Sequence, residues 1–505
     1  MENKHSIDRW IVGASLGLIL IATLPAVLYP EAAAHRLDVI YRFISSQLGI
    51  AYLWGAMGGL GFLTWLALSR HGRIRLGDQD QPPEFSTYSW VGMLFCAGVG
   101  AGMLYWAGIE WAYYYETPPF GLTPRSLDAA EWASAYPLFH WGITAWGIYC
   151  LPAVAIGYQY HVKKAPMLRL STALQPFLGE HADRTFIGRT VDLLFIISLI
   201  GGAGTSLGLS TPMIANVLSE LAGVPSNFTI EFAVILFSVI LFSASVYLGL
   251  RKGIKRLSDI NVTLAILLML FILLAGPTLF IIKNATNSVG LMVDNFFRMN
   301  TWTDPFTNSG FVENWTIFYW AWWMAYAPFV GLFVARISGG RTIRQIIGGM
   351  LFFGSLGSAL FFSVFGGWGM HLELSGTLSV TEVIAESGGP AAITAILSAL
   401  PWKSAVLILF AVVAIIFSAT TYDSASYSLA SVATRRLPAG EDPDKWHRVF
   451  WALILGLLPV TLIYVGGLKV SQSASLVASL PILVLNVAIA AGLAVSLRKD
   501  NSPGQ

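Results

Sequence analysis

The chain has 505 residues, of which 55% are hydrophobic and only 11% charged, too little polar surface for a water-soluble globule of this size. Its net charge is +2, so no basic surface points to nucleic acid. The two cysteines, Cys96 and Cys150, fall within apolar segments, where neither a loop disulfide nor redox chemistry is indicated.

Apolar runs of about 20 residues, each sufficient to cross a hydrocarbon core as a helix, recur along the chain. The predicted fold is an all-α membrane protein of about twelve transmembrane helices. In the first half the spans are predicted at about 10–30, 49–69, 87–113, 138–160, 189–215 and 229–250. In the second half they fall at about 259–282, 314–335, 346–371, 404–434, 449–468 and 475–497. The first run is too long for the core of a cleavable signal and lacks a small-residue cleavage site.

The positive-inside rule tests this count, because one missed helix would scramble every later loop. Lys4, Arg73, Lys164, Arg251, Lys252, Lys255, Arg341, Arg436 and Arg498 are among the basic residues that fall on the side shared by both termini. Only Arg36, Arg42, Arg125, Lys283, Arg298, Lys403 and Lys469 fall on the other. Both termini are therefore expected in the cytoplasm, with the chain in a bacterial inner membrane.

The predicted units are a tail with two leading helices (1–86), a first five-helix set (87–283) and an outer connection (284–313) carrying the amphipathic run Val289 to Met299. A second five-helix set (314–497) and a short tail (498–505) follow. The first helix of each set carries breakers near its centre, the run from Ala97 to Gly102 and the segment Ala327-Pro328 to Gly331. Five is odd, so the two sets would be inverted relative to each other, with a site where the interrupted helices meet.

Gly98, Gly100 and Gly102 admit two readings: close helix packing, or an unwound turn whose backbone faces a carboxylate and a cation. Trp90 and Trp315 fit interfacial anchors. Trp146, Tyr149, Trp322 and Trp323 fall nearer the bilayer centre, and helical spacing puts Trp141, Trp146 and Tyr149 on one broad face. Such rings form either ordinary core or a box replacing the weak hydration of a quaternary ammonium. In the tenth helix, Thr420 and Thr421 either bond back to the preceding turn or give two oxygens to a hard cation. Glu110 and Asp423 are intramembrane ionisable groups and functional candidates on that ground. The eight histidines show no metal-ligand spacing, and no nucleophile cluster suggests an enzyme.

Several segments together resemble the betaine/choline/carnitine transporter family: Pro83 to Thr87, the glycine run, His140-Trp141 with Trp146 and Tyr149, Gly204 to Leu209, Lys252 to Ile254, Trp315 to Trp323 and Ala335 to Ser338. The resemblance implies the inverted-repeat, LeuT-like fold with two extra leading helices, alternating access, and a homotrimer. It implies a substrate box of Trp141, Trp146, Tyr149 and Trp322, with Trp323 and Tyr113 close by. It also implies a sodium site of the Cys96, Val99 and Phe417 carbonyls with the Thr420 and Thr421 hydroxyls.

Na+ is then the coupling ion, and no other cofactor is expected. Proton-coupled relatives place an aspartate where this chain has Gly102, and the sodium-independent exchanger lacks the second hydroxyl, so sodium symport is favoured. Lys255 stands where the exchanger carries an arginine thought to replace sodium, which keeps exchange of carnitine-like compounds open. The substrate class is a small quaternary-ammonium zwitterion such as glycine betaine or carnitine, with choline and sulfonium compounds as alternatives.

Overall fold

A computed structural model describes residues 6–248, 253–435, 437, 441–465 and 467–500, with the side chains of 22 and 457–471 left aside. Lys4, Arg251, Lys252 and Arg436, and the side chain of Lys469, lie outside the described part. The described chain is helical, with only two isolated bridges, Ile7 to Thr434 and Arg75 to Thr342.

The helices run in order as α1 (Arg9–Leu28), α2 (Pro30–Leu68), α3 (Thr87–Glu116), α4 (Leu127–His140), α5 (Ile143–Gly157) and α6 (Phe186–Ala222). Then come α7 (Phe228–Leu248), α8 (Lys255–Ala275), α9 (Thr278–Asp294), α10 (Phe296–Thr301), α11 (Phe318–Ile337) and α12 (Ile343–Leu374). The chain ends with α13 (Val380–Ser398), α14 (Lys403–Val432), α15 (Lys445–Val465) and α16 (Gly467–Lys499). Among the described residues, eleven segments are long and apolar enough to span a membrane. The remaining predicted span, 449–468, falls on α15. The protein is thus a multi-pass membrane protein.

The helices sort by burial. Those of α3 and α11 are wholly enclosed, whereas α7 and α8 present Phe232, Ile240, Ile266 and Leu267 outward. With lipid as apolar as leucine, the enclosed pair is held by close packing: α11 lies along α5, where Gly331 abuts Pro152.

Both ends of the described chain lie on one face. The Asp8 amide donates to the Ala433 carbonyl at 2.9 Å and the Arg435 amide to the Ser6 carbonyl at 2.7 Å. At the other end Asp500 pairs with Lys163 and accepts from the Tyr158 hydroxyl.

Four local expectations change. The fourth span begins earlier and is broken: α4 stops at His140, and Trp141 and Gly142 leave helical geometry before α5 starts. A Cβ on Gly142 would run into the Leu138 carbonyl oxygen, so glycine permits the break. Second, α11 is helical straight through Pro328; in a bundle, neighbouring groups compensate the missing amide. Third, Trp90 is no interfacial anchor but is buried, donating to Ser338 Oγ at 2.9 Å under the Arg341 guanidinium. Fourth, the loop after α12 holds a further helix, α13, turned at Gly388 (φ 83°) and packed on α3 and α6.

Candidate substrate and cation site

At the centre of α3, Gly100 has φ 53° and ψ −160°, a conformation essentially reserved for glycine. A Cβ there would sit 2.5 Å from Thr421 Oγ1 of α14. Glycine thus serves twice, turning the backbone and admitting a neighbouring hydroxyl. Thr421 Oγ1 donates to the Cys96 carbonyl at 2.8 Å. On the neighbouring residue of α14, Thr420 Oγ1 donates instead to carbonyls of its own preceding turn, Ile416 (2.9 Å) and Phe417 (3.1 Å). The Thr421 to Cys96 contact joins two uncharged oxygens across α3 and α14, a donor type suited to a hard monovalent cation and not to a transition metal. Among the described residues no cluster of His, Cys, Asp and Glu could hold a metal.

Next to this break lies a small cavity of about 10 Å³, room for no more than about one water, lined by Gly98, Val99, Trp141, Tyr149, Ser206, Trp322, Trp323, Tyr326 and Thr421. Four predicted rings meet: Trp141 lies edge-on to Trp322 at 5.9 Å and to Trp323 at 5.4 Å, and Tyr149 lies 4.5 Å from Trp323. The Tyr149 hydroxyl donates to the Gly98 carbonyl at 3.0 Å, tying α5 to the unwound segment. Gly102 faces the edge of Trp322, where an added Cβ would lie 3.3 Å from the ring. The lining chemistry, ring faces beside backbone N–H and hydroxyl groups, suits a methylated cation with an anionic end once the rings part to admit it.

Two predicted ring positions are not among the lining residues. Trp146 adjoins them, stacked on Phe95 at 6.0 Å, edge-on to Tyr149 at 5.8 Å and 6.0 Å from Trp323, and a Cβ on Gly98 would lie 3.0 Å from its ring. The break at Gly142 interrupts the helix between it and Trp141. Tyr113 lines a separate cleft of about 380 Å³ with Tyr41, Trp106 and Trp315, on the face opposite the termini. Trp106 meets Tyr319 at 6.2 Å, and Tyr319 meets both Trp141 (5.7 Å) and Trp322 (6.2 Å). The rings therefore run continuously from cleft to cavity.

Sequence reasoning missed Ser206 and Tyr326 as lining residues, whose hydroxyls bond at 3.0 Å. Tyr326 lies one helical turn from Trp322, the spacing that would have found it. The face closing the cavity toward the termini is laced by polar contacts. Arg336 pairs with Glu84 at 2.9 Å, Leu76 N–H donates to Arg341 O at 2.8 Å, and Ile343 N–H to Ile74 O at 2.9 Å. Asp423, a candidate for ion or substrate contact, accepts instead from the Ser245 hydroxyl of α7. Lys255 pairs with Asp259 at 2.7 Å, and Asp259 accepts from Ser89 at 3.2 Å. Ser89 precedes Cys96 by about 10 Å of helix, so Lys255 is engaged away from the Thr421 contact.

Comparison with known proteins places these features. A solved substrate-bound, outward-open Na+-coupled sialic acid symporter is similar at a TM-score of 0.46 and 12% identity, over 82% of this chain and 80% of that one. The uncharacterized transporter YeaV of Escherichia coli K12 is 38% identical over 442 residues, 87% of this chain and 91% of its own. A carnitine transporter of Acinetobacter baumannii ATCC 19606 is 34% identical over 504 residues, 99% of this chain and 91% of its own. Residues 10–502 match the profile of the betaine/carnitine/choline family transporters, and with a match across almost its whole length the chain belongs to that family.

Proposed function

We propose that this transporter imports a small quaternary-ammonium zwitterion, carnitine or glycine betaine, driven by sodium. The observation that carries the reading is the juxtaposition of a ring-lined cavity with the Thr421 to Cys96 contact at the α3 break. One unwound segment can then serve substrate and cation together, so occupancy of each favours the other. The relative named as a carnitine transporter supports carnitine within the class. Gly102, which brings no acid to the cavity, supports a substrate that carries its own carboxylate. The engagement of Lys255 by Asp259 supports symport over sodium-independent exchange.

The proposal places the protein in a bacterial inner membrane with both termini cytoplasmic and the Tyr113 cleft outside. It works by alternating access between two inverted five-helix sets, in a homotrimer. Uptake of labelled L-carnitine and glycine betaine into proteoliposomes, with and without an inward sodium gradient, tests it. Accumulation above equilibrium is expected only with the gradient; equal uptake in sodium-free buffer refutes symport.

A further inference from the structure

Glu110 lies in α3 ten residues beyond the Gly100 break and is fully buried, an expensive position for a carboxylate unless its oxygens are satisfied. They are. Oε1 accepts from the Tyr114 hydroxyl at 2.6 Å, and Oε2 accepts from Trp141 Nε1–H at 2.9 Å and from the Tyr319 hydroxyl.

The surrounding pattern has one consistent direction. Tyr114 also lies 2.9 Å from His140 Nδ1, and His140 Nε2 lies 3.1 Å from Thr316 Oγ1. With the Tyr114 hydroxyl donating to Glu110, the phenol oxygen can accept from His140 Nδ1–H, and Nε2 can then accept from Thr316. Tyr114, Tyr319 and Trp141 can thus all donate to the carboxyl group at once.

Two of these donors belong to rings that matter for the cavity. Trp141 is one of its walls, and it caps α4 at the break before α5, its backbone N–H donating to the Pro137 carbonyl at 3.0 Å while the next residue, Gly142, leaves helical geometry. Tyr319 is the ring between cleft and cavity. We infer that Glu110 is a positioning residue, which touches no substrate but fixes the indole of Trp141 and the phenol of Tyr319 through one shared oxygen. A charge-assisted hydrogen bond to a rigid ring sets the ring's rotation as well as its place.

This inference rests on the proposed function only for its transport readout. In proteoliposomes taking up L-carnitine or glycine betaine, Glu110→Gln is expected to raise the substrate constant about tenfold or more with a smaller change in maximal rate. The same substitution in a Trp141→Phe background, which has no indole N–H to hold, is expected to have at least about fivefold less effect. Equal effects in both backgrounds overturn the inference.

A second measurement needs no substrate. In protein labelled with 5-fluorotryptophan, the Trp141 resonance, assigned by its loss in Trp141→Phe, should shift or broaden in Glu110→Gln. An unmoved resonance overturns the inference too. Should the Glu110→Gln protein fail to fold, Tyr319→Phe removes the donor sharing Oε2 and must move the same resonance. A wild type that takes up neither compound counts against the functional reading alone, because the fluorine signal reads the Trp141 to Glu110 bond directly.

Discussion

Replacing Gly100 by alanine tests the coupling between the α3 break and α14. Alanine at φ 53° and ψ −160° costs about 1–3 kcal/mol of backbone strain. The added methyl would also meet Thr421 Oγ1 at 2.5 Å and its Cβ at 3.4 Å, an overpacking of about 1–3 kcal/mol. The cheapest relief is rotation of Thr421 away from the Cys96 carbonyl, which forfeits the 2.8 Å contact. A net loss of about 2 kcal/mol corresponds to roughly a 30-fold rise in the sodium concentration for half-maximal uptake. The assay is proteoliposome uptake against a sodium titration at fixed substrate. Gly102→Ala is the control: its methyl would meet the Trp322 ring edge at 3.3 Å and Ser206 Oγ at 3.7 Å, both cavity-lining groups, so the substrate constant should move more than the sodium constant. A Gly100→Ala protein, correctly inserted, with unchanged sodium dependence would refute the argument that this glycine shapes a cation site.

Trp322→Leu removes a ring face from the cavity and should raise the substrate constant by about tenfold or more; near-normal uptake in an inserted mutant would refute the box. Thr421→Val keeps the shape and removes the hydroxyl, so the sodium response should weaken while expression and thermal stability in detergent stay close to wild type. Glu84→Gln weakens the partly buried pair with Arg336, worth about 1 kcal/mol. It should increase about fivefold the labelling of a cysteine placed at Ser338 by a membrane-impermeant thiol reagent from the side of the termini. Outside the membrane, burial works against the Asp304 carboxylate, but the hydroxyls and amides of Ser309 and Thr307 hold its pKa below the ordinary aspartate value. Its stabilisation of the loop before α11 is therefore complete above about pH 4 and lost as pH falls through the lowered value. Hydrogen exchange at the Ser309 amide, flat from pH 5 to 7 after correction for intrinsic rate and deprotected only below that window, would show it.

The number and order of helices were legible because length and apolarity fix a spanning helix without help from its neighbours. The Gly100 break was legible for the same reason, since glycines on alternate positions weaken a helix locally. The break between Trp141 and Trp146 was not legible. Gly142 turns the chain there, where a Cβ would meet the Leu138 carbonyl oxygen, and both rings nonetheless meet Trp323. Pro328 failed in the opposite sense: a residue that breaks helices in water stays in line where the bundle around it is dense. Glu110 stood out as a costly intramembrane acid, but only the structure reveals that its partners are rings. Tyr326 was within reach, one turn from Trp322, whereas Ser206 is a polar group of common type and nothing local marks which way it faces.

The short pairing of Ser6 and Asp8 with Ala433 and Arg435 has a practical meaning. These bonds grip the end of α14, the same helix that carries Phe417, Thr420 and Thr421. A purification handle or fluorescent reporter fused immediately ahead of Ser6 would pull on that grip and disturb ion response without altering any ligating group. Reporters are better placed after a flexible spacer, and shortened variants lacking Ser6 to Asp8 deserve a sodium titration before their kinetics are compared with those of the full chain.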